Sequence, residues 1–293
     1  TGGIRDWIIG MQIVLADGTV TKSGGRVVKN VQGYEMHRLH TGAFGTLGVV
    51  SQVAFKLLPT PPEQQSVIAW FDNQDTAQDV GMSFVNGLFN PEVISLIHGP
   101  IAEQVMIEAG ETSATEEVWV LLIRLGGGVR SIERQVNEIV GAAGARGAIG
   151  YAVLSDINAN VTWTTLEDAE KKSHTIIRMT SRTSNALAAS HEIGASNSGG
   201  DKRISTVCDL GFGAMTAVAN IATDAESSTF INSTVSTIAK HQGTYLIEKC
   251  PLDVKYNMDV FSDVGNSIDL MQRIKNQYDP YRTLNPGRFV GKI

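Results

Sequence analysis

The chain has 293 residues, 42% hydrophobic and 18% charged, with a formal net charge of -6. That length suffices for two domains with their own cores. The acidic balance argues against general nucleic-acid binding, and no apolar run reaches the roughly 20 residues a membrane span needs. The two cysteines, Cys208 and Cys250, are far apart and neither belongs to a C-x-x-C. This argues against a chain-borne iron–sulfur cluster or structural zinc, and it fits a reducing, cytoplasmic setting.

Thr1-Gly2-Gly3 is not an initiator start, no signal peptide follows it, and strand pattern begins at once. The expectation is a chain that begins inside a domain. Trp7 to Leu15 is strongly apolar and reads as a strand. Asp17-Gly18 then predicts a tight hairpin of type I′ into Thr19-Val20-Thr21. Arg26 and Lys29 follow, two cations placed to counter a phosphate or simply to be solvated. Gly33 to Leu39 predicts one short helix with Met36 and Leu39 on one side.

The next stretch, His40 to Lys56, organises the chain. Gly42, Gly45 and Gly48 recur at spacing three, with Thr46 among them, and run directly into the alternating strand that begins at Val49. A glycine turn lets main-chain N–H groups approach a bound group closely, most often a phosphate. The spacing differs from G-x-G-x-x-G, and a strand follows instead of a helix, so a nicotinamide Rossmann site does not fit. Two readings stay open: a nucleotide held by an inter-strand loop, or a tight turn with no ligand.

Pro59-Thr60-Pro61-Pro62 stops the pattern and marks a domain boundary. Beyond it come a strand (67–71), a helix (75–88, with Asp75 as the expected cap), strands 93–97 and 118–124, a helix from Ser131 to Ala143, and a strand (149–154). After a polar bridge the order repeats, with a strand (175–179), a helix (184–193), strands 204–210 and 216–221, a helix (225–241) and a strand (244–248). Two split β-α-β units side by side predict one mainly antiparallel sheet with helices on one face. The tail reads as a helix from Val264 to Tyr278, stopped by Asp279-Pro280, and then a rigid Asn285-Pro286-Gly287 turn.

Two separated stretches carry a family resemblance. Arg5 to Pro59 resembles the second half of the FAD-binding domain of FAD-linked oxidases of the vanillyl-alcohol oxidase (PCMH) type. Ile274 to Phe289, with its lysine, Tyr-Asp-Pro and Asn-Pro-Gly-Arg, resembles the C-terminal signature of the same group. Gly24 to Tyr34 is most similar to FAD-binding subunits of bacterial glycolate oxidase complexes. The expected fold class is therefore α+β. Residues 1–58 form the C-terminal half of an FAD-binding domain, 59–262 an α+β cap, and 263–293 a helix and tail returning to the FAD domain.

The resemblance implies FAD as cofactor, sitting between the FAD domain and the cap. Gly42, Gly45, Thr46, Gly48 and Val49 would face its pyrophosphate and adenine end, and Asn285 would lie near the isoalloxazine ring. It also implies that Gly2, Gly3, Arg5 and Asp6 end a loop running past the flavin. The family's first FAD subdomain, with its own phosphate loop, is absent before Thr1, so this chain alone is expected to bind FAD weakly or not at all.

Flavin-mediated oxidation of glycolate or another 2-hydroxy acid is the implied function. The implied partners are a paralogous flavin subunit and an iron–sulfur subunit, in the cytoplasm or on the inner face of the membrane. A non-catalytic assembly subunit and a stand-alone FAD oxidase are the alternatives. Related catalytic subunits carry a histidine pair as base and metal ligand. Here the six histidines, His37, His40, His98, His174, His191 and His241, include no adjacent pair. His37 and His40 read as surface or turn histidines, no metal site is expected, and no general base can be named. Arg178 reads as a solvent-face arginine, with a substrate carboxylate as its other possible partner.

Overall fold

The computed structural model describes residues 3–27, 33–112, 115, 117–196, 204–221 and 223–293, with the main chain alone at 156–161 and 196. Lys29 and Gly2 lie outside the described residues. The chain divides into two compact units, one of Thr1–Thr60 with Asp259–Ile293 and one of Pro61–Met258.

The first unit opens with a single helical turn, α1 (Ile4–Trp7), where Asp6 caps the Gly3 N–H at 3.0 Å. Strands β1 (Ile8–Val14), β2 (Val20–Gly24) and β3 (Val49–Phe55) follow, with the short helix α2 (His37–His40) between the last two. They form an antiparallel sheet in the order β2-β1-β3, with Gly10 opposite Gly24 and Met11 opposite Val53. Alternation in β1 sends Met11 and Ile13 to one face, and Ile8, beyond a register irregularity between Ile8 and Gly10, joins them in a small core with Leu15 and Val53. The hairpin forms where Asp17-Gly18 predicts it, but not as type I′. Gly18 alone takes a positive φ, at 84°, and its N–H bonds back to Leu15 O. Asp17 Oδ1 accepts the Thr19 N–H at 2.9 Å. The loop is thus the longer hairpin, in which glycine supplies the left-handed residue after a turn. Helix α2 is also shorter than Gly33 to Leu39 suggests.

In the second unit, β4 (Glu63–Phe71), α3 (Gln74–Val85), β5 (Val93–His98), α4 (Pro100–Glu108), β6 (Trp119–Gly127), α5 (Val129–Ala145) and β7 (Gly150–Ser155) make the first half. Helix α6 (Asp156–Lys172) leads to the second half: β8 (Thr175–Thr180), α7 (Thr183–Ser196), β9 (Ile204–Asp209), β10 (Ala214–Ala219), α8 (Asp224–Lys240) and β11 (Thr244–Lys249). A short α9 (Leu252–Asn257) closes the unit. The eight strands run β11-β8-β10-β9-β5-β6-β4-β7, every pair antiparallel. Each half has the same internal order, and the halves join where β5 meets β9. The predicted fold class and its doubled split unit are borne out.

The expectation that helices occupy one face needs correction, because α4 and α6 cover the other. Ile101, Ala102, Val105 and Met106 of α4 pack with Ile68, Trp70, Val120 and Leu122, and Trp163, Leu166 and Ala169 of α6 join them. On the opposite face Gly81 of α3 comes so close to Leu121 and Leu210 that a Cβ there would lie 3.0 and 2.4 Å from their methyl carbons. Both helices escape a hydrophobic pattern search for physical reasons. Pro100 opens α4 after Gly99, at the one helical position where a missing N–H costs nothing. Helix α6 buries Thr162 and Thr165, so its inner face does not read as apolar. The helix caps differ too. Asn73, not Asp75, caps α3, accepting the Asp75 and Thr76 N–H groups, and α5 starts at Val129 behind Gly128.

The chain then returns to the first unit with α10 (Ser267–Tyr278) and a tail ending in a turn of 3-10 helix at Val290–Lys292.

Candidate functional site

The glycine loop and the tail meet inside the first unit. Lys275, on the last turn of α10, is fully buried, and so is Asp279 one turn on. Lys275 Nζ has three donors and uses all of them, to Thr46 O at 2.8 Å, Asp279 Oδ2 at 2.7 Å and Leu284 O at 2.9 Å. Asp279 in turn accepts the Thr283 N–H and Oγ1–H, both at 2.9 Å, and the Leu284 N–H at 2.7 Å. Burial alone would raise the Asp279 carboxyl. The ammonium of Lys275 and these hydrogen bonds outweigh burial and hold it below the usual carboxylate range. One buried ion pair therefore folds the chain after α10 into a fixed turn and ties that turn to the glycine loop.

A second tie runs from Asn285, whose Nδ2 donates to Phe44 O at 2.8 Å. Asn285 itself sits at φ 42°, a conformation asparagine tolerates better than most residues. Phe44 also takes a positive φ, at 53°, and its ring meets Phe261 and Phe289 with centroids 5.4 and 5.9 Å away. The strained loop residue is thus held by ring packing as well as by its carbonyl.

These ties sort the residues singled out from sequence. Thr46 and Gly48 are buried. Thr46 Oγ1–H donates to Ala43 O at 2.7 Å, while a Cβ on Gly48 would lie 2.5 Å from an Ile13 methyl group. Both face the core of the unit. Gly42, Gly45 and Val49 are exposed, Val49 at 56%. A Cβ on Gly42 would meet nothing within 4 Å, and one on Gly45 would meet only Asn285. The loop carbonyls of Phe44 and Thr46 are consumed by Asn285 and Lys275. Among the described residues the N–H groups of Phe44 and Gly45 donate to nothing. The loop thus has two carbonyls already occupied and, among the described residues, two N–H groups left without a partner, and main-chain N–H groups are the donors a bound anion uses. Arg26 lines a separate open groove of about 590 Å³ across β1, β2 and β3, with Lys22, Gln12 and Gln52.

His37 and His40 are not surface residues, as sequence reading had them. His37 is 3% exposed, its Nδ1 3.1 Å from Ser23 Oγ, which also accepts the His37 N–H at 3.0 Å. His40 packs edge-on against Tyr278, with centroids 5.5 Å apart. Burial lowers both imidazoles, which favours the neutral form. In the second unit Arg178 is committed elsewhere than to a ligand. It pairs with Glu248 and with Glu170 at 2.8 Å, and donates to Thr216 Oγ1 at 3.0 Å. Burial pushes the Cys208 thiol up to about 12, so it is not a nucleophile. No group of three or more His, Cys, Asp or Glu among the described residues is placed to hold a metal ion, and no described helix is long and apolar enough to cross a membrane.

The sequence marks Lys275 and Asp279 only as part of the tail signature and assigns neither a role. The available signal was their spacing. Residues i and i+4 on the last helical turn face one another, with the acid at the helix end where a basic residue is the ordinary choice.

No family model matches the chain. It is 25% identical over 312 aligned positions to glycolate oxidase subunit GlcD of Bacillus subtilis, an alignment covering 99% of this chain and 64% of that protein. It is 34% identical over 80 residues to glycolate oxidase subunit GlcE of Escherichia coli, covering 27% of this chain and 23% of that one. Among solved structures, 4-ethylphenol oxidase from Gulosibacter chungangensis superposes with a TM-score of 0.67 at 16% identity, over 96% of this chain and 65% of that one. The chain thus spans just under two thirds of the curated relative that it matches along its whole length. The resemblance to glycolate oxidase-type subunits and the fold class read from sequence are both borne out.

Proposed function

We propose that this chain, a relative of glycolate oxidase subunits with the fold of FAD-linked oxidases, is the FAD-binding part of an oxidoreductase acting on glycolate or a similar 2-hydroxy acid. The observation that carries the reading is the polarity of the glycine loop. Its Thr46 and Phe44 carbonyls are occupied by Lys275 and Asn285, and its Phe44 and Gly45 N–H groups are left for an anion. A dinucleotide pyrophosphate fits that surface, because Gly42 and Gly45 present no side chain to it.

In this reading Gly42, Gly45 and Val49 face the cofactor directly. Thr46 and Gly48 support the loop from the core side. Asn285 fixes the loop with its amide nitrogen, which leaves its Oδ1 for the flavin end. FAD, when bound, supplies the acceptor for the hydride equivalent that leaves the hydroxyl-bearing carbon. The protein's part is to hold the loop rigid before binding, so that little ordering cost is left to meet. We further propose that the chain works within a multi-subunit complex, with a paralogous flavin subunit and an iron–sulfur subunit as its partners. The names of the two glycolate oxidase subunits it resembles support that assembly. A non-catalytic assembly role is the second reading. It is favoured by the absence of any adjacent histidine pair in the sequence.

Gly42→Ala separates a ligand-binding loop from a plain turn. The added methyl group meets nothing in the protein, so the stability cost is limited to the left-handed strain at φ 86°, about 1–2 kcal/mol. FAD affinity, measured by fluorescence titration of protein made from the complete reading frame, is expected to fall tenfold or more. Unchanged affinity in a folded variant would sink the assignment of this loop.

A further inference from the structure

The eight-stranded sheet has two edges, and the chain treats them differently. An edge strand exposes unpaired N–H and C=O groups and invites another strand, so edges that must stay free carry charges, bulges or kinks. The β11 edge has such features. Its register slips between Ile247 and Lys249, Glu248 is held in an ion pair by Arg178, and Lys249 Nζ reaches across to Lys171 O at 2.9 Å. The β7 edge has none. Its sequence, Gly-Tyr-Ala-Val-Leu-Ser, contains no charge and no proline, and it pairs with β4 in unbroken register from Gly150 to Ser155. Ala152 and Leu154 turn into the core shared with α6. Tyr151 and Val153 point to the other face and stay exposed, at 54% and 40%, with Ile149 beside them at 58%.

We propose that β7 is an assembly edge, and that its occupant is β7 of a second copy of this chain, paired antiparallel about a twofold axis at Ala152. The choice of a second copy rests on self-complementarity. A twofold axis sets each strand against itself, so a charged residue in the strand would bring like charges close together. This strand has no charge to bring. With Ala152 at the axis, Tyr151 of each copy lies opposite Val153 of the other and on the same face. An aromatic beside a β-branched residue is among the favourable cross-strand pairs, and here it occurs twice. Ile149 falls opposite Ser155 and extends the apolar seam. The two eight-stranded sheets then continue as one. A six-residue ladder is a small interface, so the dimer is a weak one, with a Kd on the order of 10 μM.

The test is sedimentation velocity on the whole chain over a concentration range spanning that value, for the wild type and for Tyr151→Lys and Val153→Lys. Both positions are exposed, so the variants retain the fold, which the thermal transition checks. The proposal expects a concentration-dependent dimer in the wild type and monomers in both variants. Hydrogen exchange provides a readout that needs no variant. The β7 amides not used by β4 should slow as concentration rises, while those of β11 should not change. A wild type that stays monomeric, a dimer that persists in both lysine variants, or a β7 edge protected only when a different protein is added would each overturn the assignment.

Discussion

Replacing Lys275 with methionine is expected to destabilise the first unit by about 3–5 kcal/mol, the range for removing one partner of a buried ion pair. Methionine fills similar space, so the loss is not one of packing. It arises because the Asp279 carboxylate is left buried without its cation, and because Thr46 O and Leu284 O lose their donor. Urea unfolding read by a probe in the first unit should show the loss, while the second unit changes little. Asp279 fixes the pH signature of the intact protein. Its carboxyl lies below its unfolded value in the folded state, so its contribution is complete above about pH 4. That contribution is lost as pH falls below this toward the folded-state value. Lys275→Met should flatten this acid limb. A variant as stable as the wild type, with an unchanged acid limb, would mean that the pair does not hold the tail.

The second large effect is expected at Gly24, where alanine should cost about 2–4 kcal/mol. Two terms add. The residue sits at φ 70°, which costs a side-chain-bearing residue about 1–2 kcal/mol. The new methyl group would also lie 2.2 Å from Ile9 O and 2.9 Å from Gly10 Cα, both main-chain atoms of β1 that cannot move without breaking the hairpin. Gly42→Ala is the internal control, with a similar φ and open space around it. If the two alanine variants are equally stable, the close approach of β2 to β1 is not a constraint. The comparison is made by chemical denaturation of both variants under one set of conditions.

Most of the architecture was legible because pattern and burial agree in it. The doubled strand–helix order of the second unit reports directly on which faces are wet, whereas β3 of the first unit has a strand's alternation and yet leaves Val49, Val50 and Phe55 exposed. The opposite layer of helices was missed, although a trace of it lay in the sequence. Val118 to Leu125 is almost unbroken in apolar residues, a pattern that means burial on both faces, and such a strand needs a second layer. The site was half legible. Glycine spacing marks where the backbone must turn or approach closely, so Gly42 to Gly48 stood out. Spacing does not say which glycines are exposed and which face Ile13. That depends on Lys275 and Asn285, more than 200 positions away, and no local pattern reports so distant a contact. His37 and His40 were misplaced for a related reason. A polar residue in a turn reads as exposed unless its hydrogen-bond partner, here Ser23 from another strand, is already known.

Anaerobic addition of glycolate to the protein made from its complete reading frame, followed by the absorbance of oxidised flavin, tests the flavin and substrate assignments together. The protein is expected to carry or take up FAD, and glycolate to bleach its absorbance band without any added subunit. A protein that neither retains flavin nor binds added FAD would contradict the assignment of the glycine loop. Bound flavin that glycolate leaves oxidised would contradict the substrate and favour the non-catalytic subunit.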